Sequence, residues 1–166
     1  MKRIIQILLI IPLFIFSCIK PEKYPDTPSI KYESFELKDT IDDLDNHIKI
    51  GTLTFSFIDG NGDIGLRDED TIAPYDTLSI YYYNLYIKMF KKQNGAYIPV
   101  DLLIPLNYRI PYYVATGQNK TLKGKIKIDI TYNPIPYDTI KYQFYMYDRA
   151  LNKSNTESTP DIILNN

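Results

Sequence analysis

The stretch LKGKIKIDI, Leu122 to Ile130, alternates apolar and charged side chains and indicates the fold class. In an extended chain, successive side chains point to opposite faces, so the isoleucines lie on one face and the lysines and Asp129 on the other. The stretch IKYQFYMYD, Ile140 to Asp148, repeats this alternation with aromatic residues. The pattern is typical of antiparallel strands that are buried on one face.

Similar patterns predict further strands at Ile30–Leu37, Leu53–Phe57, Ser79–Lys91, Tyr97–Val100, Tyr108–Val114 and Thr156–Ile163. Asn94-Gly95 predicts a hairpin turn, because both residues tolerate positive φ. No segment shows a helical period. Seven or eight short strands predict an all-β fold, and we expect a single immunoglobulin-like antiparallel β-sandwich over residues 30–166. The chain lacks the Cys…Trp…Cys pattern of a true immunoglobulin domain.

The first seventeen residues have the layout of a secretory signal peptide. Lys2 and Arg3 precede an almost wholly apolar run, Ile4–Phe16. The alternative is a permanent transmembrane helix. The run is shorter than the roughly 20 residues that such a helix needs, and Gln6 and Pro12 interrupt it. We therefore predict that residues 1–17 are removed.

Ile15-Phe16-Ser17-Cys18 resembles a bacterial lipobox, in which the cysteine is acylated with chains such as palmitate and becomes the new N-terminus. Cys18 is the only cysteine of the chain, so it has no intrachain disulfide partner. Acyl chains hold a protein to a membrane, because each buried methylene contributes about 0.8 kcal/mol. Residues 18–29 contain three prolines and are predicted to form an extended tether. The expected location is the outer membrane, with the side undetermined.

The sequence lacks the residues that several classes of function need. The net charge is −1, without a concentrated basic face, which argues against nucleic acid as a partner. His47 is the only histidine and is predicted to begin a strand, so no histidine-rich zinc site can form. We expect a non-enzymatic protein. The alternative is a small carbohydrate-active or other hydrolytic enzyme, because the spatial separation of paired carboxylates is not visible in a sequence.

The glycine-rich stretch GNGDIG, Gly60 to Gly65, matches a dinucleotide-binding fingerprint formally. That site needs a helix directly after the glycines, to meet the pyrophosphate with free backbone amides. Here Leu66 is followed by RDEDTIAPYD, an acidic segment that contains a proline. The fingerprint is therefore a coincidence.

Calcium is a better candidate ligand for the same loop. Asp59, Asn61 and Asp63 have the one-three-five spacing of a calcium loop, and Asp70 falls at position twelve. Position six is isoleucine instead of glycine, and no helices flank the loop, so it is not an EF-hand. A calcium site on a sandwich loop remains one interpretation. The other is a tight structural loop, in which glycines supply positive φ and Asp and Asn side chains cap backbone amides.

Tyrosine is unusually frequent, with sixteen residues, and Tyr81, Tyr83 and Tyr86 lie within one predicted strand. They are candidate binding residues for a protein or a glycan, because tyrosine is favoured at recognition surfaces. The alternative is ordinary packing of residues with high strand propensity.

Three tracts, FIDGNGDIGL, KKQNGAYIPVDL and YDRALNKSNTESTP, resemble segments of uncharacterised outer-membrane lipoproteins of the Bacteroidota. The last tract also resembles the penultimate-strand, turn and final-strand unit of bacterial immunoglobulin-like repeats. This resemblance implies an envelope location and a β-sandwich, and it implies no activity. We expect a binding or structural module of the cell envelope.

Overall fold

Two antiparallel β-sheets pack face to face in this chain. The computed structural model describes residues 22–115, 119–132 and 137–164. The predicted signal peptide and Cys18 lie outside these ranges. Within them there is no helix that could cross a membrane. The prediction of an all-β sandwich is confirmed, while the immunoglobulin-like assignment stays a prediction.

Nine strands follow one another in the described part of the chain: β1 (Ser29–Ile41), β2 (His47–Asp59), β3 (Leu85–Gln93), β4 (Ala96–Pro99), β5 (Leu106–Tyr108), β6 (Leu122–Tyr132), β7 (Thr139–Met146), β8 (Glu157–Ser158) and β9 (Ile162–Ile163). The first sheet has the order β1-β2-β6. In the second sheet, β3 pairs with β4, β5 and β7, and β7 also pairs with β8 and β9. All of these pairs are antiparallel. The end of one strand therefore lies beside the start of its neighbour, close to the loop that enters that neighbour.

The core lies between the two sheets and is built from the apolar faces that the alternation predicted. In β7 every second residue is buried, from Ile140 to Met146, and β6 follows the same alternation. Phe55 of β2 meets Phe144 of β7 across the sandwich, with ring centroids 5.1 Å apart. Both rings are fully buried. These contacts exclude water from the space between the sheets.

One polar contact crosses the core. The hydroxyls of Tyr132 in β6 and Tyr142 in β7 form a hydrogen bond in the buried interior. Burial raises the pKa of both phenols, so both stay protonated at neutral pH and one donates to the other. The bond satisfies two groups that would be costly to bury alone.

The Asn94-Gly95 hairpin is confirmed. Gln93 pairs with Ala96, which leaves a two-residue turn between β3 and β4. Asn94 has φ 52° and Gly95 has φ 80°, as such a turn requires.

Side-chain hydroxyls from the residues that follow β7 accept hydrogen bonds from backbone amides of β7. The amide of Met146 donates to Ser154 Oγ at 3.0 Å, and the amide of Tyr142 donates to Thr159 Oγ1 at 3.1 Å. Pro160 has no N–H to give to a ladder, so the predicted strand Thr156–Ile163 divides into the two short strands β8 and β9.

Asn155 links this C-terminal tract to the first sheet. Its side chain accepts a hydrogen bond from the amide of Ile30 at 2.8 Å and donates one to the carbonyl of Ile30 at 2.9 Å. An asparagine amide thus pairs with the start of β1 as a neighbouring strand would.

Two other predicted strands each include six residues that lie outside the observed strands. The strand predicted over Ser79–Lys91 begins only at Leu85, because turn hydrogen bonds hold the preceding residues. The amide of Ser79 donates to the carbonyl of Asp76 at 2.9 Å, and the amide of Tyr82 donates to the carbonyl of Ser79 at 3.1 Å. Three consecutive tyrosines with high strand propensity, Tyr81 to Tyr83, gave no sign of this turn.

The strand predicted over Tyr108–Val114 is replaced by β5, which ends at Tyr108. The buried side chain of Asn84 takes both backbone groups of Ile110: it accepts from the amide at 2.6 Å and donates to the carbonyl at 3.1 Å. Pro111 follows and has no amide hydrogen. The ladder therefore stops where a side chain competes for the backbone.

The described part of the predicted tether contacts the sandwich. The carbonyl of Pro25 accepts a hydrogen bond from the amide of Gly60 at 2.9 Å. Lys123 Nζ lies 3.8 Å from the centroid of the Tyr24 ring, and Pro28 is fully buried. Residues 22–28 therefore do not stand clear of the domain.

Truncation of a core ring tests the packing. We expect Phe144→Ala to lower the free energy of unfolding by about 3–5 kcal/mol, because a fully buried phenylalanine leaves a cavity. Urea denaturation followed by circular dichroism measures the loss. Gln143→Ala, on the opposite face of β7, is the matched control. Equal losses for the two variants would mean that the assignment of faces is wrong.

Candidate functional site

The glycine-rich loop leaves β2 directly after Asp59 and is shaped by close backbone contacts. Gly62 has φ 70°, and a Cβ at this position would lie 2.0 Å from the carbonyl oxygen of Lys120. Gly65 has φ 93°, and a Cβ there would lie 2.2 Å from the carbonyl oxygen of Pro111. Only glycine fits where another chain segment approaches this closely. The loop is therefore tight and fixed on both sides.

Three carboxylates converge beside this loop. One oxygen each from Asp59, Asp63 and Asp148 lies within 4.8 Å of the other two. Asp59 ends β2 in the first sheet, whereas Asp148 lies just beyond β7 in the second. The cluster therefore forms where the two sheets meet at one end of the sandwich.

Hydrogen bonds hold the carboxylates of Asp59 and Asp148 and the backbone of Asp63 in place. Asp59 Oδ1 accepts a hydrogen bond from the amide of Gly62 at 2.5 Å. Asp148 accepts two from Asn152, one from the backbone amide at 2.7 Å and one from the side chain at 2.8 Å. The amide of Arg149 donates to the carbonyl of Asp63 at 3.0 Å and so ties the two loops together.

Burial makes the negative charges of this cluster costly. It raises the pKa of Asp59 from its ordinary 3.8 to about 6, and the neighbouring charges of Asp63 and Asp148 add to the effect. Burial also raises the pKa of Asp63, with a further contribution from Asp148. The pKa of Asp148 is raised mainly by burial. Among the described residues, no lysine or arginine forms an ion pair with any of the three.

Asp70 does not join the cluster. Its carboxylate forms a two-pronged ion pair with the guanidinium of Arg149, with one N–O distance of 3.2 Å. That hydrogen bonding lowers the pKa of Asp70. Of the four residues that the sequence offered as calcium ligands, Asp59 and Asp63 are brought together, and Asp148 adds a third carboxylate.

Sequence spacing did not point to Asp148. It lies 85 positions after Asp63, and its position follows only from the pairing of the strands. The available signal was that Asp148 ends the alternating stretch of β7, next to an Asn and Ser turn. A carboxylate just beyond the end of a strand lies close to the loops that leave the neighbouring strands.

A second group of residues forms a tyrosine surface on the outer face of the second sheet. Its members are half-buried rings in contact with one another: Tyr81, Tyr82, Tyr83, Tyr86, Tyr145 and Tyr147. Tyr86 and Tyr145 are paired across β3 and β7, and their rings stack with centroids 5.4 Å apart. Tyr147 meets Tyr81 edge to face at 5.1 Å. The predicted binding residues are therefore together, although Tyr81 and Tyr83 lie before β3 begins.

His47 begins β2, as predicted, and is exposed. Its side chain has no part in either group of residues. Cys18 lies outside the described residues.

The buried carboxylates predict an unusual pH dependence. In a chelating buffer, we expect the melting temperature to fall as the pH rises from about 4 to about 6.5. The folded pKa of Asp59, about 6, exceeds its ordinary 3.8, so the folded state binds the proton more tightly. This stabilisation is fully present below pH 4 and is lost as the pH rises through 6.

Asp59→Asn should flatten this part of the curve, because an amide does not ionise. Asp68→Asn, an exposed carboxylate of the same loop, is the matched control and should leave the curve unchanged. A wild-type melting temperature that rises steadily from pH 4 to 6.5 would contradict the account.

Comparisons with known proteins give no family for this chain. No family model, no curated protein and no solved structure matches it. The resemblance to lipoproteins of the Bacteroidota therefore stays a prediction.

Proposed function

We propose that this chain is a non-enzymatic lipoprotein of the outer membrane, anchored through Cys18. Its β-sandwich would serve as a binding module that presents the tyrosine surface to a protein of the cell envelope. The observation that carries the proposal is the continuous set of six tyrosine rings on one outer sheet face. The signal-like N-terminus and the lone cysteine supply the anchor.

The tyrosine surface has the composition of a recognition site. Aromatic rings supply large contact areas at low entropic cost and are enriched where proteins bind one another. Apolar side chains extend the surface: Leu78 is 95% exposed and Ile80 is 66% exposed. The hydroxyl of Tyr86 donates to the carbonyl of Ile80, which connects the turn to the sheet. A partner that covers these residues would bury apolar area that water now reaches.

A protein fits this surface better than a glycan does. Sugars bind aromatic residues by lying on an open ring face. The ring of Tyr145 is already stacked on Tyr86, and Lys153 Nζ lies 3.8 Å from its centroid. The rings thus offer edges and hydroxyls more than free faces, which suits the mixed contacts of a protein interface.

The burial of the carboxylate cluster supports a non-enzymatic function. Catalytic carboxylates of a glycoside hydrolase must reach the substrate from either side of the scissile bond. Asp59 is 0% exposed and Asp148 is 2% exposed, so a substrate would not reach them. The hydrolase alternative would need a second carboxylate pair in an open cleft.

Photo-crosslinking in intact cells tests the binding surface. A photoreactive phenylalanine analogue at Tyr81 or Tyr83 should give a discrete protein adduct, because the side chain would lie inside the interface. The matched control places the analogue at Lys127, which is exposed on the other sheet. Absence of adducts at both tyrosine positions, or the same adduct at Lys127, would contradict the proposal.

Anchoring is tested separately through the cysteine. We expect Cys18→Ser to leave the chain unprocessed or to release it from the membrane fraction, because the acyl chains have no other attachment point. Intact-mass measurement of the wild type should show acyl chains on a polypeptide that starts at Cys18. A chain that retains Met1 and carries no added mass would rule the anchor out.

A further inference from the structure

Three side-chain oxygens in the glycine-rich loop are inaccessible to water and lack a hydrogen-bond donor: Asp59 Oδ2, Asn61 Oδ1 and Asp63 Oδ1. They are the only such oxygens among the described residues. Asp59 is 0% exposed, and its other oxygen is already occupied by the amide of Gly62. Two of the three atoms belong to the carboxylate cluster, and the third is a neutral amide oxygen beside it in sequence.

Leaving these oxygens without a hydrogen-bond donor destabilises the folded state. A buried acceptor without a donor costs about 1–3 kcal/mol, and a buried charge costs more. The guanidinium of Arg149 does not meet this need, because it is held by Asp70. Native structures almost always satisfy such atoms with a hydrogen bond, water or an ion. Three converging carboxylates, with buried acceptor oxygens that lack a donor, call for a cation.

We infer that Asp59, Asn61, Asp63 and Asp148 form a calcium site that joins β2 to β7. Calcium takes six to eight oxygen ligands from carboxylates, amide carbonyls, backbone carbonyls and water. The four side chains supply only such oxygens, and three carboxylates leave a net negative charge around a divalent ion.

Other metals fit this oxygen set less well. Zinc prefers nitrogen and sulfur ligands, and the four residues offer neither. Magnesium requires a strict octahedron and gives up its water reluctantly, so a buried loop suits it poorly. Asn152 binds both oxygens of Asp148 and would hold that carboxylate in its orientation toward the ion.

The ion would connect the two sheets at one end of the sandwich. β2 belongs to the three-stranded sheet and β7 to the six-stranded sheet, and Asp59 and Asp148 lie at their ends. Tyr147 precedes Asp148 and contacts Tyr81, Tyr86 and Tyr145. Calcium would therefore also fix one edge of the tyrosine surface.

The test uses the full-length protein, purified in detergent, stripped with a chelator and then titrated with calcium. The melting temperature should rise with calcium and respond much less to magnesium. At a hundredfold excess over Kd, the unfolding equilibrium constant should fall about a hundredfold, which corresponds to about 2.7 kcal/mol. Isothermal titration calorimetry should give one calcium ion per chain, and terbium should bind with tyrosine-sensitised luminescence.

Asp148→Asn is the decisive variant, because its position follows from the fold and not from the loop spacing. It should lose most of the calcium response, as should Asp63→Asn. Without calcium, Asp63→Asn should melt at or above the wild-type temperature, since it removes a charge whose buried oxygen has no donor. That second readout distinguishes a lost ligand from a damaged fold. Asp68→Asn is the matched control and should respond like the wild type.

A wild-type protein that shows no calcium-dependent melting shift and no terbium luminescence would overturn the inference. So would an Asp148→Asn variant that keeps the full calcium response. Neither outcome bears on the proposed tyrosine interface, which the photo-crosslinking experiment tests without added calcium.

Discussion

Burial of three like charges where the two sheets meet is the constraint on which this structure depends most. Asp59 and Asp148 are at strand ends in opposite sheets, and both are almost completely inaccessible to water. Hydrophobic packing, with Phe55 against Phe144, sets the separation of the sheets and so determines how closely the carboxylates approach. The apolar core thus creates an electrostatic cost at its edge. A divalent cation would neutralise these charges and would link the ends of the two sheets.

The same packing accounts for the loops around the cluster. Gly62 and Gly65 let the chain turn against neighbouring backbone, and the amide of Arg149 holds the loop by its bond to Asp63. Arg149 also binds Asp70 with its side chain, which fixes the far end of the loop. A segment that looks flexible by composition is therefore tied at several points. Those ties place the ligand oxygens before any ion binds, which lowers the entropic cost of binding.

Strand alternation predicted much of the fold, because a period of two directly reflects burial on one face. β6 and β7 follow it almost residue by residue. Its failures have several causes, and one occurs where a side chain competes with the ladder. Asn84 takes the backbone groups of Ile110, and no local pattern announces a contact between such distant positions. The candidate site was half predictable: the spacing of Asp59 and Asp63 is local, whereas the approach of Asp148 depends on strand pairing.

The tyrosine surface and the carboxylate cluster adjoin each other in the fold. Tyr147 belongs to the tyrosine surface, and the next residue, Asp148, belongs to the carboxylate cluster. Order at the cluster would therefore be transmitted directly to the surface that we assign to partner binding. Calcium concentration would then influence the rigidity of the proposed contact surface.

The most direct measurement is a crystal structure of the protein with terbium in place of calcium, located by anomalous scattering. One strong peak is expected about 2.3–2.6 Å from oxygens of Asp59, Asp63 and Asp148. A guanidinium or lysine ammonium between these carboxylates, with the metal bound only to exposed carboxylates such as Asp68, would contradict this expectation.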